Sequence, residues 1–163
     1  MFIKKICMTL GALYLLTACA SKEYSKEESV FVVFKTDTFK YADLGFIYDN
    51  DKEMKVEMYS NGQAVMALEV SQSSVCMSLF ECMSRQTFNT QVLSSAYPED
   101  ILDNIFRGKV LFDGLNVKKI RNGFTQNIRK TGKYDIKYSV LNKQIVFRDR
   151  MNSIMIKIKR LGT

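Results

Sequence analysis

The chain has 163 residues, 47% of them hydrophobic and 12% aromatic, with a formal net charge of +7 at neutral pH. That apolar content excludes a disordered polyelectrolyte, and one proline with eight glycines excludes a collagen-like or Pro/Gly-rich stalk. The sequence contains no histidine and no tryptophan, so the commonest general base and metal ligand is missing.

In chain order, the first element is a leader. Lys4 and Lys5 precede an apolar run from Ile6 to Leu16, too short to cross a hydrocarbon core that needs roughly 20 residues. Basic, apolar and small residues in that order predict a secretory signal over residues 1–18. Leu16-Thr17-Ala18-Cys19 resembles the lipobox of bacterial lipoproteins. The resemblance implies cleavage before Cys19 and a diacylglyceryl group on its sulfur, since one acyl chain binds a bilayer only marginally whereas two or three hold it. Ala20, where such proteins often carry an inner-membrane aspartate, implies an outer-membrane anchor facing the periplasm. In a host with a single membrane the same anchor would put the domain on the outer face. Residues 19–29 are polar without apolar periodicity and read as a flexible spacer. A single domain is expected over residues 30–163.

Strands come next: VFVVFK (30–35), DLGFIYD (43–49), EMKVEMYS (53–60) and QAVMALEV (63–70) are short runs of β-branched, aromatic and alternating residues. Asn61-Gly62 between the last two suits a type I′ hairpin turn.

The stretch VCMSLFECM then holds Cys76 and Cys82, the only cysteines left after the leader is removed and Cys19 is lipidated. Three or four ligands are needed for zinc, and no histidine or third thiol is at hand. The spacing is also wrong for a Cys-x-x-Cys redox motif. Two buried free thiols remain an alternative. A disulfide fits an envelope compartment and requires Cα atoms within about 7 Å, where a straight helix would hold them roughly 9 Å apart. The intervening MSLFE is therefore expected to be a loop, turn or tight hairpin, and the disulfide a local staple between the two halves of the fold.

The period then changes. Ser84 caps a helix carrying Phe88 and Val92, and YPEDILDNIFRG places Pro98, Glu99 and Asp100 at a second start and Gly108 at its stop. Strands return in KVLF (109–112), in KKIRNGFTQNIR with an Asn122-Gly123 turn, and in YDIKYSV, IVFRD and IMIKIKRL. Strand blocks with segregated helices predict an α+β domain, a strongly curved antiparallel sheet or open half-barrel of about nine strands with one or two central helices packed on its concave face.

Charge is divided unevenly. Residues 19–103 carry 7 basic and 14 acidic residues, residues 104–163 carry 15 and 3. Lys118, Lys119, Arg121, Arg129, Lys130, Lys157 and Lys159 are expected to form a basic interaction face. In the envelope such a face meets anionic lipid or an acidic protein rather than nucleic acid. No P-loop, Gly-x-Ser-x-Gly or Ser-x-x-Lys motif is present, and the reading assigns no enzyme activity, catalytic residue, metal or cofactor.

Two functions follow as expectations. One is a non-enzymatic envelope-assembly module acting through the basic face. The other is a lipid or acyl-chain carrier with an apolar pocket at Phe46, Met54, Met66, Phe88, Ile105 and Phe106, residues that would equally well make a solid core. The lipidated cysteine, the spacer, the hairpins, the helix at YPEDIL ending at Gly108 and the closing hairpins together resemble the carrier and receptor proteins of the Lol lipoprotein pathway. That resemblance implies a half-barrel with a helical lid that holds acyl chains.

Overall fold

The computed structural model describes residue 22 and residues 24–78 and 80–162; the leader and Cys19 lie outside them. Among the described residues eleven strands, two α-helices and one 3-10 turn follow one another as β1 (Lys26–Lys35), β2 (Lys40–Asp49), β3 (Met54–Ser60), β4 (Gln63–Val70), β5 (Ser74–Met77), β6 (Phe80–Ser84), α1 (Arg85–Val92), α2 (Ile101–Arg107), the 3-10 turn (Phe112–Gly114), β7 (Val117–Ile120), β8 (Gly123–Lys130), β9 (Tyr134–Leu141), β10 (Gln144–Asp149) and β11 (Ile154–Arg160). All strands form one antiparallel sheet in the order β6-β5-β4-β3-β2-β1-β11-β10-β9-β8-β7. The first and last strands meet at its centre, with Val30 opposite Arg160 and Lys35 opposite Met155. β6 and β7 are its two edges, so the helical segment runs from one edge to the other.

Alternation with period two decides which face is buried. Val30, Val32 and Phe34 of β1, Met54, Val56 and Met58 of β3, and Ile154, Ile156 and Ile158 of β11 are at most 1% exposed. Both helices cover this face, α1 with Phe88 and Val92, α2 with Ile101, Leu102, Ile105 and Phe106. Each such side chain contributes about 1.5–3 kcal/mol when withdrawn from water. The opposite, outer face carries Lys157, Lys159, Arg148 and Lys137 on β11, β10 and β9.

Two glycines mark where strands come too close for a side chain. A Cβ on Gly45 would lie 2.0 Å from the Glu57 carbonyl oxygen, and one on Gly123 would lie 1.9 Å from that of Val140. The register also slips between Met58 and Tyr59, next to Gly45. Gly and bulge together are how a sheet takes up local bending.

Several sequence expectations are revised. Strands number eleven because the cysteine stretch itself forms the hairpin β5–β6. β1 begins at Lys26, so part of the expected spacer is strand. KVLF is not a strand: Phe112, Asp113 and Gly114 have positive φ, and a side chain supplies the hydrogen bonds a ladder would have. Buried Gln126 accepts from the Leu111 N–H and donates to the Leu111 and Leu115 carbonyls, at 2.9, 2.9 and 2.7 Å. The second hairpin turn is Arg121-Asn122, with Ile120 paired to Gly123. By contrast Asn61 and Gly62 occupy their turn with φ of 52° and 78°, as type I′ requires.

Candidate functional site

The helical segment between the sheet edges is built from ordinary local signals. The Ser84 hydroxyl accepts the Thr87 N–H at 3.1 Å and caps α1. Asn89, buried within α1, donates to the Pro98 carbonyl at 2.9 Å and so folds the connection back on the helix. Gly108 ends α2 in the left-handed conformation, φ 69°.

Seven side chains of this cover, Phe88, Val92, Tyr97, Ile101, Leu102, Ile105 and Phe106, are at most 7% exposed. They meet an interior rich in methionine, with Met54, Met58, Met66 and Met77 all buried. Ring contacts join cover to sheet, Phe106 to Phe34 at 6.3 Å and Tyr97 to Phe147 at 5.9 Å.

Polar contacts hold the cover at its rim. Arg107 pairs with Asp49 at the end of β2, donates to the Asn50 carbonyl at 3.0 Å, and bridges Asp103 at 2.9 Å. Burial opposes the guanidinium charge, but Asp103 and Asp49 outweigh it and raise the Arg107 pKa. Arg85 donates to the Ser71 carbonyl at 2.7 Å. Between Arg85 and Arg107 lies an open polar hollow of about 400 Å³ that also takes in Asp51, Gln72 and Lys109.

On the other side, the Tyr97 hydroxyl donates to Asp149 at 2.5 Å. Asp149 is 1% exposed. It also receives the Asp135 and Met151 N–H groups and the Asn152 amide, at 3.0, 2.9 and 2.6 Å. Burial pushes this carboxyl up; the hydrogen bonds from Tyr97, Asp135, Asn152 and Met151 together hold it below the usual range. Burial and the neighbouring carboxylate raise the Tyr97 phenol, which stays protonated as a donor.

Of the expected pocket residues, the structure brings Met54, Met66, Phe88, Ile105 and Phe106 into one buried cluster. Phe46 does not join them. Gly45 and Ile47 take the inward positions of β2, so Phe46 points out and stacks near Tyr48 and Tyr59 at 6.1 and 5.9 Å. The expected basic face is divided. Lys118 pairs across from Thr125, and Lys157, Lys159 and Arg129 also point outward, whereas Lys119 pairs with inward-facing Phe124. Arg121 sits in the β7–β8 turn, and Lys130 at the far end of β8, where it pairs with inward-facing Tyr134.

Cys76 and Cys82 are joined, S–S 2.09 Å. They staple the edge hairpin β5–β6 rather than two halves of the fold. Tyr97, Arg107 and Asp149 were not singled out by sequence reasoning.

The chain matches no protein-family model and no curated protein. Among the described residues no helix is long and apolar enough to cross a membrane.

Proposed function

We propose that this is a lipid-anchored envelope protein, tethered through Cys19 to the outer membrane and facing the periplasm, whose helix-covered apolar face takes up acyl chains as a carrier or receptor. The sheet is then a curved half-barrel and the segment from Arg85 to Arg107 its lid.

One observation carries this reading: the lid spans the two open edges of the sheet, and its own apolar side chains fill the face it covers. A ligand therefore enters by exchange. The seven buried lid side chains contribute roughly 10–20 kcal/mol of apolar burial. An acyl chain of about 16 carbons, at ~0.8 kcal/mol per methylene, contributes roughly 12 kcal/mol in the same place. The two are close enough for the lid to yield without unfolding the sheet. Methionines suit such a face because their unbranched side chains repack around irregular ligands. The lid-to-rim contacts of Arg107, Arg85 and Tyr97 are polar and reversible, as a lid needs. No chemical step is assigned.

Native mass spectrometry of the chain purified from membranes, before and after incubation with a long-chain fatty acid, tests the reading. A bound acyl mass, displaced by competing fatty acid, is the expected result. A chain that stays free of lipid at saturating fatty acid overturns it.

A further inference from the structure

The outer face of the central strands holds an arrangement that folding alone disfavours. Lys40 of β2 stands directly opposite Lys35 of β1, and Arg148 of β10 directly opposite Lys137 of β9. Like charges facing each other across strands are destabilising. Both pairs lie in one row, because Lys35 faces Met155 and Met155 faces Arg148. At about 4.8 Å per strand the row runs roughly 19 Å from β2 to β9. Lys157 sits two residues along β11 from Met155, on the same face. None of these five cations is in an ion pair among the described residues.

Beside the middle of the row Lys35, Arg148, Arg150 and Ser153 line an open hollow of about 280 Å³. Asp149 borders it, but its carboxylate is taken up by Tyr97, Asn152 and backbone N–H groups. Among the described residues, the hollow thus offers cationic groups that no carboxylate of the protein pairs with.

The path of the N-terminal segment says what meets this face. Lys22 bridges Glu53 and Glu69 at 3.1 and 2.8 Å, Tyr24 stacks 5.6 Å from Tyr48, and Ser25 donates to the Asp49 carbonyl at 3.1 Å. Tyr48 and Glu69 point outward, so the segment lies on the outer face. Cys19 is three residues before Lys22, a reach of at most about 11 Å. An anchor at Cys19 would therefore lie within that reach of a segment packed on the outer face, and would hold this face close to the bilayer.

We propose that the outer face around Lys35, Lys40, Lys137, Arg148 and Lys157 is a docking surface for anionic phospholipid headgroups, which holds that face of the sheet to the membrane and turns the lid away from it. The proposal rests on the reading that Cys19 carries the anchor. Phosphate groups relieve the repulsion within each like-charge pair, and each cation near an anionic surface adds to the attraction.

The test uses the lipidated chain purified from membranes and reconstituted on vesicles of phosphatidylcholine alone or with phosphatidylglycerol. Acylation of lysines is then read residue by residue by mass spectrometry. On anionic vesicles Lys35, Lys40 and Lys137 are expected to be protected severalfold, Lys119 on the other side unchanged, and the protection lost at high salt. Lys35→Glu with Arg148→Glu is expected to weaken vesicle binding by roughly thirtyfold. The same double variant should keep or raise thermal stability, because each new glutamate faces a cation across the sheet.

Equal labelling on both vesicle types overturns the proposal. So does protection that appears only with an added envelope protein extract, which would make the face a protein-docking surface. Failure to attach to phosphatidylcholine vesicles counts against the anchor at Cys19, and a lipid-free interior against the carrier reading. Neither of these moves the comparison between vesicles, since anionic binding by the face is measurable without them.

Discussion

Asp149 ties three parts of the molecule together: the cover through Tyr97, the β9 backbone through Asp135, and its own turn through Met151 and Asn152. Its pKa is lowered in the folded protein. The stability this confers is therefore fully present above the ordinary carboxylate value of about 3.9, and is lost as pH falls through the folded value. Urea unfolding of Asp149→Asn is expected to show about 2–4 kcal/mol less stability at neutral pH, and a flatter dependence between mildly and strongly acidic pH than the parent. An unchanged acid slope would remove Asp149 from the account. Gly45 makes a second prediction at this scale. Gly45→Ala puts a Cβ 2.0 Å from a backbone oxygen, which nothing flexible can relieve, and should cost about 3 kcal/mol or more. Gly62→Ala meets no atom within 4 Å and pays only for its φ of 78°, about 1 kcal/mol; thermal melts of the two variants separate the causes. Gly45 also explains why Phe46 misleads in the sequence. In DLGFIYD the inward position is the one without a side chain, so aromatic content points to the wrong parity.

At the scale of elements, hairpins could be read from the sequence where local chemistry alone decided them. Asn61-Gly62, the Ser84 cap and the Gly108 stop each act within a few residues, and each stands where the sequence puts it. KVLF failed because its backbone is satisfied from fifteen residues away by the Gln126 side chain, a contact that no local pattern records. The hairpin β5–β6 was legible as a disulfide constraint rather than as strands, since four- and five-residue runs interrupted by cysteines carry little alternation. This hairpin is an edge of the sheet and leads straight into α1. Closing a six-residue separation contributes about 2 kcal/mol in the chain-entropy model. Replacing both cysteines by serine is thus expected to lower stability by about that amount. Amide exchange should quicken in residues 74–84 while β1 and β11 keep their protection. A uniform loss across the sheet would mean that the staple supports the whole fold and not its edge.

For the whole molecule, the strand order places the chain's most distant partners, β1 and β11, side by side at the centre and makes the cover's two chain connections to the sheet run through the edges β6 and β7. None of this was visible in the sequence beyond the block order of strands, helices and strands, because pairing across 120 residues leaves no local signature. Nor was the outer row of cations, since Lys35 and Lys40 come from the acidic half of the chain and fall into one row with Arg148 and Lys137, across Met155, only once the sheet has formed. The arrangement has a consequence for motion. Central strands are hydrogen-bonded on both sides, whereas the cover is held by apolar contacts and by the few rim bonds of Arg107, Arg85 and Tyr97, so the cover should open at a lower free energy than the sheet. Arg107→Ala removes the pairs with Asp49 and Asp103 and the bond to the Asn50 carbonyl. Loss of such charge-assisted bonds at a half-buried site weakens closure by about 1.4 kcal/mol or more, a tenfold rise in the open population. Exchange in residues 97–107 should accelerate tenfold or more and fatty-acid uptake should quicken with it, while β1, β10 and β11 exchange as before. If the central strands instead accelerate in step with the cover, the two unfold as one unit, and an acyl chain could enter only by unfolding the sheet.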